Sequence, residues 1–334
     1  MASISPIGAF RHGGRLLEAT AAYPDAPRPW LDLSTGINPE PWPGARAPAD
    51  ALRRLPDPEQ LAQLEAMAAR AFGVDDPARV VAVPGAEAAL RLLPGLISGV
   101  ETALLAPIYG GHAEAWASRA PSFVTSLDEA KDADVLVLVN PNNPDGRRIE
   151  RDTLAALAEG RSALGRWTVV DESFVEVAPE LSVADLAIER LVVLRSFGKF
   201  YGLPGARLGF VIADKRLARQ LRVLLGDWPL SADALALGLS AYADDVWRAT
   251  TRAWLATQTE AVDAVLAENG LRVVGGCDLF RWTAAPDAHG LYAQLAEQGV
   301  LVRPFADRPD RLRFGLPSRN DFKRLRDTLR KVRT

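Results

Sequence analysis

Cysteine and histidine, which crosslink small proteins or bind metals in them, are scarce in this sequence. Its 334 residues contain one cysteine and three histidines. Cys277 alone cannot form an intramolecular disulfide, which excludes the disulfide-rich secreted classes. His12, His112 and His289 are too scattered along the chain to form a metal site by local spacing, so we expect no metal.

A long apolar segment is also lacking. The most apolar run, residues 135–139, is far shorter than the roughly 18 residues that a membrane span needs. The first fourteen residues do not show the basic stretch followed by an apolar one that marks a secretory leader. These features predict a soluble, cytoplasmic protein without a membrane partner.

Neither sign of charge is in large excess, since 39 Lys and Arg stand against 42 Asp and Glu. Nucleic-acid binding needs a basic surplus on at least one face, so we expect no nucleic-acid partner. The basic residues 323–333 are interpreted as a solvated helix face. Hydrophobic residues make up 48% of the chain, which is typical of a globular protein.

The chain changes character twice along its length. Residues 1–49 are rich in proline and predict an extended arm with one short strand at 30–33. In residues 50–230, helical stretches alternate with apolar runs at 80–83, 103–106, 135–139, 168–170, 191–194 and 208–212. Such runs predict a parallel sheet covered by helices, hence a large α/β domain. The short mixed elements of residues 231–334 predict a smaller α+β domain that the arm joins.

The segment Arg195–Lys199 directly follows a predicted buried strand. A lysine in a glycine-containing loop at this place can be partly desolvated and can act as a nucleophilic amine. Ser196 and Arg207 offer a hydroxyl and a guanidinium, which together suit a phosphate. Taken alone, the stretch is equally compatible with a surface lysine.

Other predicted strands also end in residues that could contact a ligand, as is usual in open α/β sheets. Asp171 ends a buried strand and needs a partner, such as a protonated ring nitrogen, unless it caps a helix. Tyr109 could stack on a flat ligand, or it could be a core tyrosine. Gly85 precedes a predicted helix whose N-terminus could bind an anion. Asn143 lies in a turn rich in proline, and taken alone this stretch is more simply explained as a turn than as a ligand site.

In their order and spacing, these motifs resemble the aminotransferase superfamily of pyridoxal-phosphate enzymes with fold type I. The resemblance extends over nearly the whole chain. It implies an α/β fold with a mostly parallel seven-stranded sheet in α/β/α layers and a smaller α+β domain. It also implies pyridoxal 5'-phosphate as cofactor and a homodimer.

The resemblance further implies site residues. Lys199 would bond covalently to the cofactor and later donate a proton, and Asp171 would pair with the pyridine nitrogen. Tyr109 would stack on the ring, and Asn143 would hydrogen-bond the ring hydroxyl. The phosphate would be held by Gly85, Ala86, Glu87, Ser196 and Arg207.

Within the superfamily, the chain resembles the histidinol-phosphate aminotransferase branch and, inside it, the threonine-phosphate decarboxylases of cobalamin biosynthesis. The segments that carry this resemblance are 12–14, 32–39, 109–116 and 311–317. It implies decarboxylation of O-phospho-L-threonine to (R)-1-aminopropan-2-yl phosphate, and a histidinol-phosphate-type aminotransferase is the alternative. The phosphorylated amino acid would be contacted by His12, Gly13, Gly36, Asn143, Arg303 and Arg313.

Three features depart from these patterns or have a simpler explanation. Phe174 stands where typical aminotransferases have a tyrosine that bonds the ring oxygen. Leu55 stands where the histidinol-phosphate branch usually has a tyrosine that reaches the partner subunit's cofactor phosphate. Arg303 and Arg313 could instead form surface ion pairs with Asp307 or Asp310. The two substitutions bear on transamination more than on cofactor binding.

Overall fold

A computed structural model describes residues 12–333 of the protein. Contacts divide the described chain into a larger unit, residues 41–143 and 147–250, and a smaller unit, residues 12–40, Pro144–Gly146 and 251–333. The sequence placed these boundaries at 49/50 and 230/231. In the structure the first boundary comes earlier in the chain, because Trp42 is hydrogen-bonded to residues of the larger unit. Its backbone N–H donates to the Tyr201 carbonyl at 2.9 Å, and its indole N–H donates to Asp244 at 3.1 Å.

The helices and strands follow one another along the whole described chain. The helices are α1 Leu16–Ala22, α2 Pro58–Phe72, α3 Ala86–Leu96, α4 Gly110–Trp116, α5 Arg151–Ala163, α6 Phe197–Phe200, α7 Lys215–Leu225, α8 Ala232–Tyr242, α9 Asp245–Glu268, α10 Ala288–Glu297 and α11 Phe322–Arg333. The strands are β1 Leu31–Asp32, β2 Val80–Val83, β3 Thr102–Leu105, β4 Ser122–Val124, β5 Val135–Val139, β6 Trp167–Asp171, β7 Leu191–Ser196, β8 Gly209–Ile212, β9 Arg272–Cys277, β10 Phe280–Ala284, β11 Val300–Leu301, β12 Arg303–Phe305 and β13 Arg308–Gly315. Within residues 12–333, no helix is both long enough and apolar enough to cross a membrane.

The larger unit is built on a seven-stranded sheet with the order β2-β8-β7-β6-β5-β3-β4. Only β8 runs against its neighbours, so the prediction of a mostly parallel seven-stranded sheet is confirmed. Strands β2, β3, β5 and β6 are buried along their whole length, which explains their unbroken apolar runs. The edge strand β4 was not predicted, because two of its three residues are exposed and leave no apolar pattern.

The smaller unit has the α+β character that the sequence predicts. Its main sheet is antiparallel, with the order β12-β13-β10-β9, and a two-stranded parallel sheet joins β1 of the arm to β11. Leu31 lies opposite Val300, and Asp32 lies opposite Leu301. The arm is therefore part of the smaller unit through backbone pairing.

Side chains cover the open edge of β2. The buried Glu65 of α2 accepts a hydrogen bond from the Ala82 backbone N–H at 3.0 Å, and its other oxygen lies 2.8 Å from Arg222 of α7. Arg222 also donates to the Val80 carbonyl at 2.6 Å. The ion pair thus takes the place of a neighbouring strand, and it blocks pairing with another chain at this position.

Replacing Glu65 with Ala should lower the free energy of unfolding by about 1–3 kcal/mol, since the buried Ala82 N–H loses its acceptor. Gln63→Ala, on the exposed side of the same helix, is the matched control and should change it by no more than about 0.5 kcal/mol. Urea unfolding of both variants measures the difference. Equal effects in the two variants would show that Glu65 does not protect the edge.

Candidate active site

One edge of the seven-stranded sheet gathers most of the predicted cofactor residues. Because β2, β3, β5, β6 and β7 run parallel, the segments that follow them all emerge at the same edge. Strand β8 runs the other way, so the segment that precedes it lies there too. The residues brought to this edge are Gly85, Ala86, Glu87, Tyr109, Asn143, Asp171, Ser196, Lys199 and Arg207.

Asp171, the last residue of β6, is a buried carboxylate with three hydrogen-bond donors. His112 Nε2 lies 2.9 Å from its Oδ2, while the backbone N–H and hydroxyl of Ser173 donate to Oδ1 at 2.9 and 2.5 Å. Burial alone would raise the pKa of Asp171, but the hydrogen bond and charge of His112 and the bonds from Ser173 outweigh it and lower the pKa. The site therefore holds a buried negative charge at neutral pH.

His112 was not among the predicted site residues. It is completely buried, and its Nδ1 has no hydrogen-bond partner within the described part of the chain. Because an ionised carboxylate can only accept, Nε2 is the donor to Asp171. No local signal in the sequence pairs it with Asp171, which lies 59 positions further along the chain; His112 stands on α4, three residues after Tyr109.

Tyr109 lies beside this pair. Its ring centre is 6.2 Å from that of His112, with the two ring planes nearly perpendicular. Its hydroxyl donates to Glu87 at 3.4 Å. Burial, with the charges of Glu87 and Asp171, raises the pKa of Tyr109 to about 12, so the phenol is neutral at physiological pH.

The start of α3 forms a close-packed cradle with Arg207. Gly85 has a φ of 87°, and a Cβ atom there would lie 2.5 Å from Nη2 of Arg207. Arg207 itself has a φ of 52°, and its Nη1 donates to the Pro204 carbonyl at 3.1 Å. No side chain caps α3, so the N–H groups of its first turn have no side-chain acceptor, and the Arg207 guanidinium lies beside Gly85. This combination suits a phosphate.

Lys199 lies on the short helix α6, directly after β7, and is half-buried. Its Nζ is 5.7 Å from the centre of the Phe174 ring. Phe174 is 3% exposed and carries no hydroxyl, so it offers the amine an aromatic face and no hydrogen bond. Ser196 lies at the end of β7, three residues before the lysine.

The turn after β5 is held by asparagine side chains that sequence reasoning did not single out. Asn140 exchanges hydrogen bonds with the backbone of Ile149, both at 2.9 Å. Asn142 donates to the Pro107 carbonyl at 2.8 Å. The predicted site residue, Asn143, is half-buried beside them. The two neighbours therefore fix the backbone that carries it.

The predicted substrate residues other than Asn143 belong to the smaller unit. Arg303 and Arg313 lie directly opposite each other on β12 and β13. Arg313 is buried, and its Nη2 donates to the Ser34 carbonyl at 2.9 Å. Two guanidinium groups at facing positions repel each other, which favours an anion between or beside them.

Each aspartate considered as an alternative partner of these arginines pairs instead with the arginine that directly follows it. Asp307 lies 3.7 Å from Arg308, and Asp310 contacts Arg311. Both carboxylates are therefore paired with Arg308 and Arg311.

The arm passes close to the segment after β1. A Cβ atom on Gly13 would lie 2.3 Å from the Ser34 carbonyl oxygen, and the Gly14 N–H donates to the Ser34 hydroxyl at 2.8 Å. His12 is half-buried and Gly36 is buried. The absence of a side chain at position 13 is what permits this approach. Among residues 12–333, no group of three or more His, Cys, Asp or Glu side chains could hold a metal ion.

A family model for aminotransferase class I and II matches residues 33–329. The chain belongs to this family. It is 37% identical to a threonine-phosphate decarboxylase of Pseudomonas aeruginosa, with 92% of this chain and 93% of that protein covered. It is 36% identical to one from a Sinorhizobium species, with 96% and 98% covered. A histidinol-phosphate aminotransferase of Citrifermentans bemidjiense is 30% identical, with 91% and 92% covered.

Solved structures show the same fold. The histidinol-phosphate aminotransferase from Clostridium acetobutylicum gives a TM-score of 0.80 at 19% identity, covering 91% of this chain and 99% of that one. The L-threonine-O-3-phosphate decarboxylase from Porphyromonas gingivalis gives 0.75 at 20% identity, covering 90% and 98%. At these identities the likeness concerns the fold alone.

Family membership makes this chain an enzyme that uses pyridoxal 5'-phosphate, and the larger unit has side chains that fit this cofactor. The anionic phosphate matches the cradle of Gly85 and Arg207, where a Cβ would intrude. A protonated ring nitrogen matches the ionised, buried Asp171. A primary amine is available at Lys199, close to the same sheet edge.

Replacing His112 with Phe should raise the pKa of Asp171 in the cofactor-free protein, because burial is then opposed only by Ser173. A folded-state pKa below the unfolded value stabilises the fold above the unfolded pKa, about 3.9, and this stability is lost as the pH falls through the folded value. At neutral pH the variant should therefore be less stable than the wild type, and the smaller part of its stability that depends on Asp171 should be exhausted at a higher pH during acidification.

Carbon-13 titration of the Asp171 carboxyl measures the shift directly. His289→Phe is the matched control, since His289 lies in the smaller unit, where its Nε2 is 2.9 Å from the Phe305 carbonyl oxygen. It should leave the Asp171 titration unchanged. An Asp171 pKa that is the same in His112→Phe as in the wild type would contradict the role assigned to His112.

Proposed function

We propose that this enzyme decarboxylates O-phospho-L-threonine to (R)-1-aminopropan-2-yl phosphate, with release of CO₂, as a step of cobalamin biosynthesis. The observation that carries the proposal is the pair of threonine-phosphate decarboxylases that are 36–37% identical to it over at least 92% of the chain. The 30% identity to a histidinol-phosphate aminotransferase supports the second candidate, a transamination. The lack of a hydroxyl at Phe174 favours the first.

In this proposal, the residues at the sheet edge hold the cofactor. Pyridoxal phosphate supplies an electron sink for the charge left on the substrate Cα when one of its bonds breaks. Asp171 would keep a proton on the ring nitrogen, and Tyr109 would pack on the ring. Asn143 would bond the ring hydroxyl. The phosphate would be bound by Gly85, Ala86, Glu87, Ser196 and Arg207.

Lys199 would have two tasks. Its amine would bond covalently to the cofactor in the resting enzyme, and once displaced by substrate it would donate a proton to Cα. The Phe174 ring beside Nζ supports this second task, because an aromatic face attracts the ammonium form that holds the proton.

Substrate orientation would decide which bond breaks. Contacts remote from Cα would orient the substrate and thereby select the bond that breaks, so charged anchors would determine the reaction. We propose that the phosphate and carboxylate of the substrate are bound by His12, Gly13, Gly36, Asn143, Arg303 and Arg313. The facing positions of Arg303 and Arg313 support an anion at this place.

Purified holoenzyme incubated with O-phospho-L-threonine, without any keto acid, should release CO₂ and form aminopropanol phosphate. Lys199→Ala should abolish both this turnover and the visible absorbance of the bound cofactor. Lys215→Ala, a surface lysine paired with Asp76 at 2.6 Å, is the matched control and should retain both. No release from the wild type, with turnover of histidinol phosphate that depends on 2-oxoglutarate, would establish the aminotransferase instead.

We further propose that the enzyme is a homodimer in the cytoplasm. The larger unit exposes large apolar side chains on the turn before α2 and at the end of α7, and these support the proposal of an interaction surface. These residues are Leu52, Leu55, Val223, Leu224 and Trp228. A lone buried free cysteine, Cys277, agrees with a reducing compartment.

Sedimentation velocity tests the dimer. The wild type should sediment as a dimer at micromolar concentration, and the double variant Leu224→Glu with Trp228→Glu should sediment as a folded monomer. The control variant Leu164→Glu changes another exposed leucine, which directly follows α5, and this variant should remain dimeric. A monomeric wild type would exclude the proposal.

A further inference from the structure

A buried ion cluster lies directly behind the candidate active site. Arg195, in β7, is 4% exposed. Its Nη1 lies 3.0 Å from Glu172 Oε2, and its Nη2 contacts Glu176. The guanidinium also lies 4.3 Å from the centre of the Phe72 ring. One cation is thus shared by two buried carboxylates and an aromatic face.

Glu172 has hydrogen-bond donors in addition to Arg195. Glu172 also accepts hydrogen bonds from the Ser182 hydroxyl and the Val183 N–H, both at 2.7 Å. Burial acts to lower the pKa of Arg195, but the charges of Glu176 and Glu172 outweigh it and raise the pKa. The cation is therefore permanent. Buried ion pairs seldom stabilise a fold more than apolar residues of the same volume would, so stability alone does not explain the cluster.

Its position along the chain links it to the site residues. Glu172 directly follows Asp171, and Arg195 directly precedes Ser196. Strands β6 and β7 are neighbours, with Asp171 opposite Leu194, and the Glu172 N–H donates to the Leu194 carbonyl at 2.9 Å. Since successive strand residues point to opposite faces, the Arg195 side chain and Ser196 lie on opposite sides of β7.

The strand that carries Arg195 leads directly into the segment that carries Lys199. Helix α6 begins at Phe197, immediately after the end of β7, and Tyr201 follows Lys199 by two residues. The Tyr201 ring stacks on Phe197 with centres 4.5 Å apart. Burial raises the pKa of Tyr201 well above its ordinary value, and the negative charge of Glu176 adds to this shift. The cluster therefore lies at the ends of β6 and β7, and α6 continues from the second of these strands.

We propose that Arg195 is a positioning residue of the cofactor site: by bridging Glu172 and Glu176, it fixes the ends of β6 and β7 and thereby the relative positions of Asp171, Ser196 and Lys199. This inference rests on the proposed roles of those three residues. A guanidinium is suited to the task because its planar fork can bind two carboxylates at fixed angles, whereas an ammonium is a single point charge.

Arg195→Lys tests this bridging, because it keeps the charge and removes the fork. We expect cofactor release from the holoenzyme to be faster by on the order of tenfold, the lower range for the loss of a supporting residue behind a bound group. We also expect a shifted midpoint in the pH titration of the cofactor absorbance. Both readouts are independent of turnover.

Arg161→Lys is the matched control. Arg161 is as buried as Arg195, at 4% exposed, and lies in the same unit. Its guanidinium donates to the carbonyls of Ala130, Ala133 and Trp167 at 2.9–3.1 Å, away from the ion cluster and from every predicted site residue. This variant should resemble the wild type in release rate and in pH midpoint. Thermal unfolding of all variants without cofactor shows how much of each effect is loss of stability.

The outcomes separate the possibilities. If Arg195→Lys and Arg161→Lys lose similar stability while release and pH midpoint stay at the wild-type values, Arg195 is only structural and the inference is overturned. If Arg195→Lys does not fold, Glu172→Gln decides in the same way, since it retains the size of the side chain and removes its charge. A wild type that binds no pyridoxal phosphate would instead refute the roles of Asp171, Ser196 and Lys199 themselves.

Discussion

The site depends on keeping one carboxylate ionised in a buried place. Burial opposes the charge of Asp171, and only the donors from His112 and Ser173 reverse that opposition. Without them, burial would raise the pKa of this carboxylate and make its charge harder to keep. Two elements supply the donors: α4 carries His112, and Ser173 follows the end of β6 by two residues.

The sheet supplies the second requirement, which is to bring distant segments to one place. Six parallel strands end at the same edge, and the single antiparallel strand β8 starts there. That reversal matters, because it places Arg207 against Gly85, more than a hundred residues earlier in the chain. Glycine at position 85 is required twice, by its positive φ and by the guanidinium that fills the space of a Cβ.

Much of this organisation was predictable from patterns in the chain. The apolar runs that became β2, β5 and β6 are strands buried on both faces, so their composition reveals them. Elements on the border of the fold gave weaker signals. Strand β4 is largely exposed and has no apolar run, and Asn140 and Asn142 look like ordinary turn residues although they hold the loop of Asn143.

The sequence alone determined the α/β class and the family, because buried parallel strands and their ends leave a pattern of residue types at fixed intervals. It also indicated Lys199, Asp171 and Arg207, because an amine, a carboxylate and a guanidinium each suggest a particular chemistry. Only the tertiary structure decided which side chains support them. His112 is joined to Asp171 across 59 positions, and Arg195 to Glu172 across 23. Such pairings follow from how strands and helices pack, and local spacing carries no record of them.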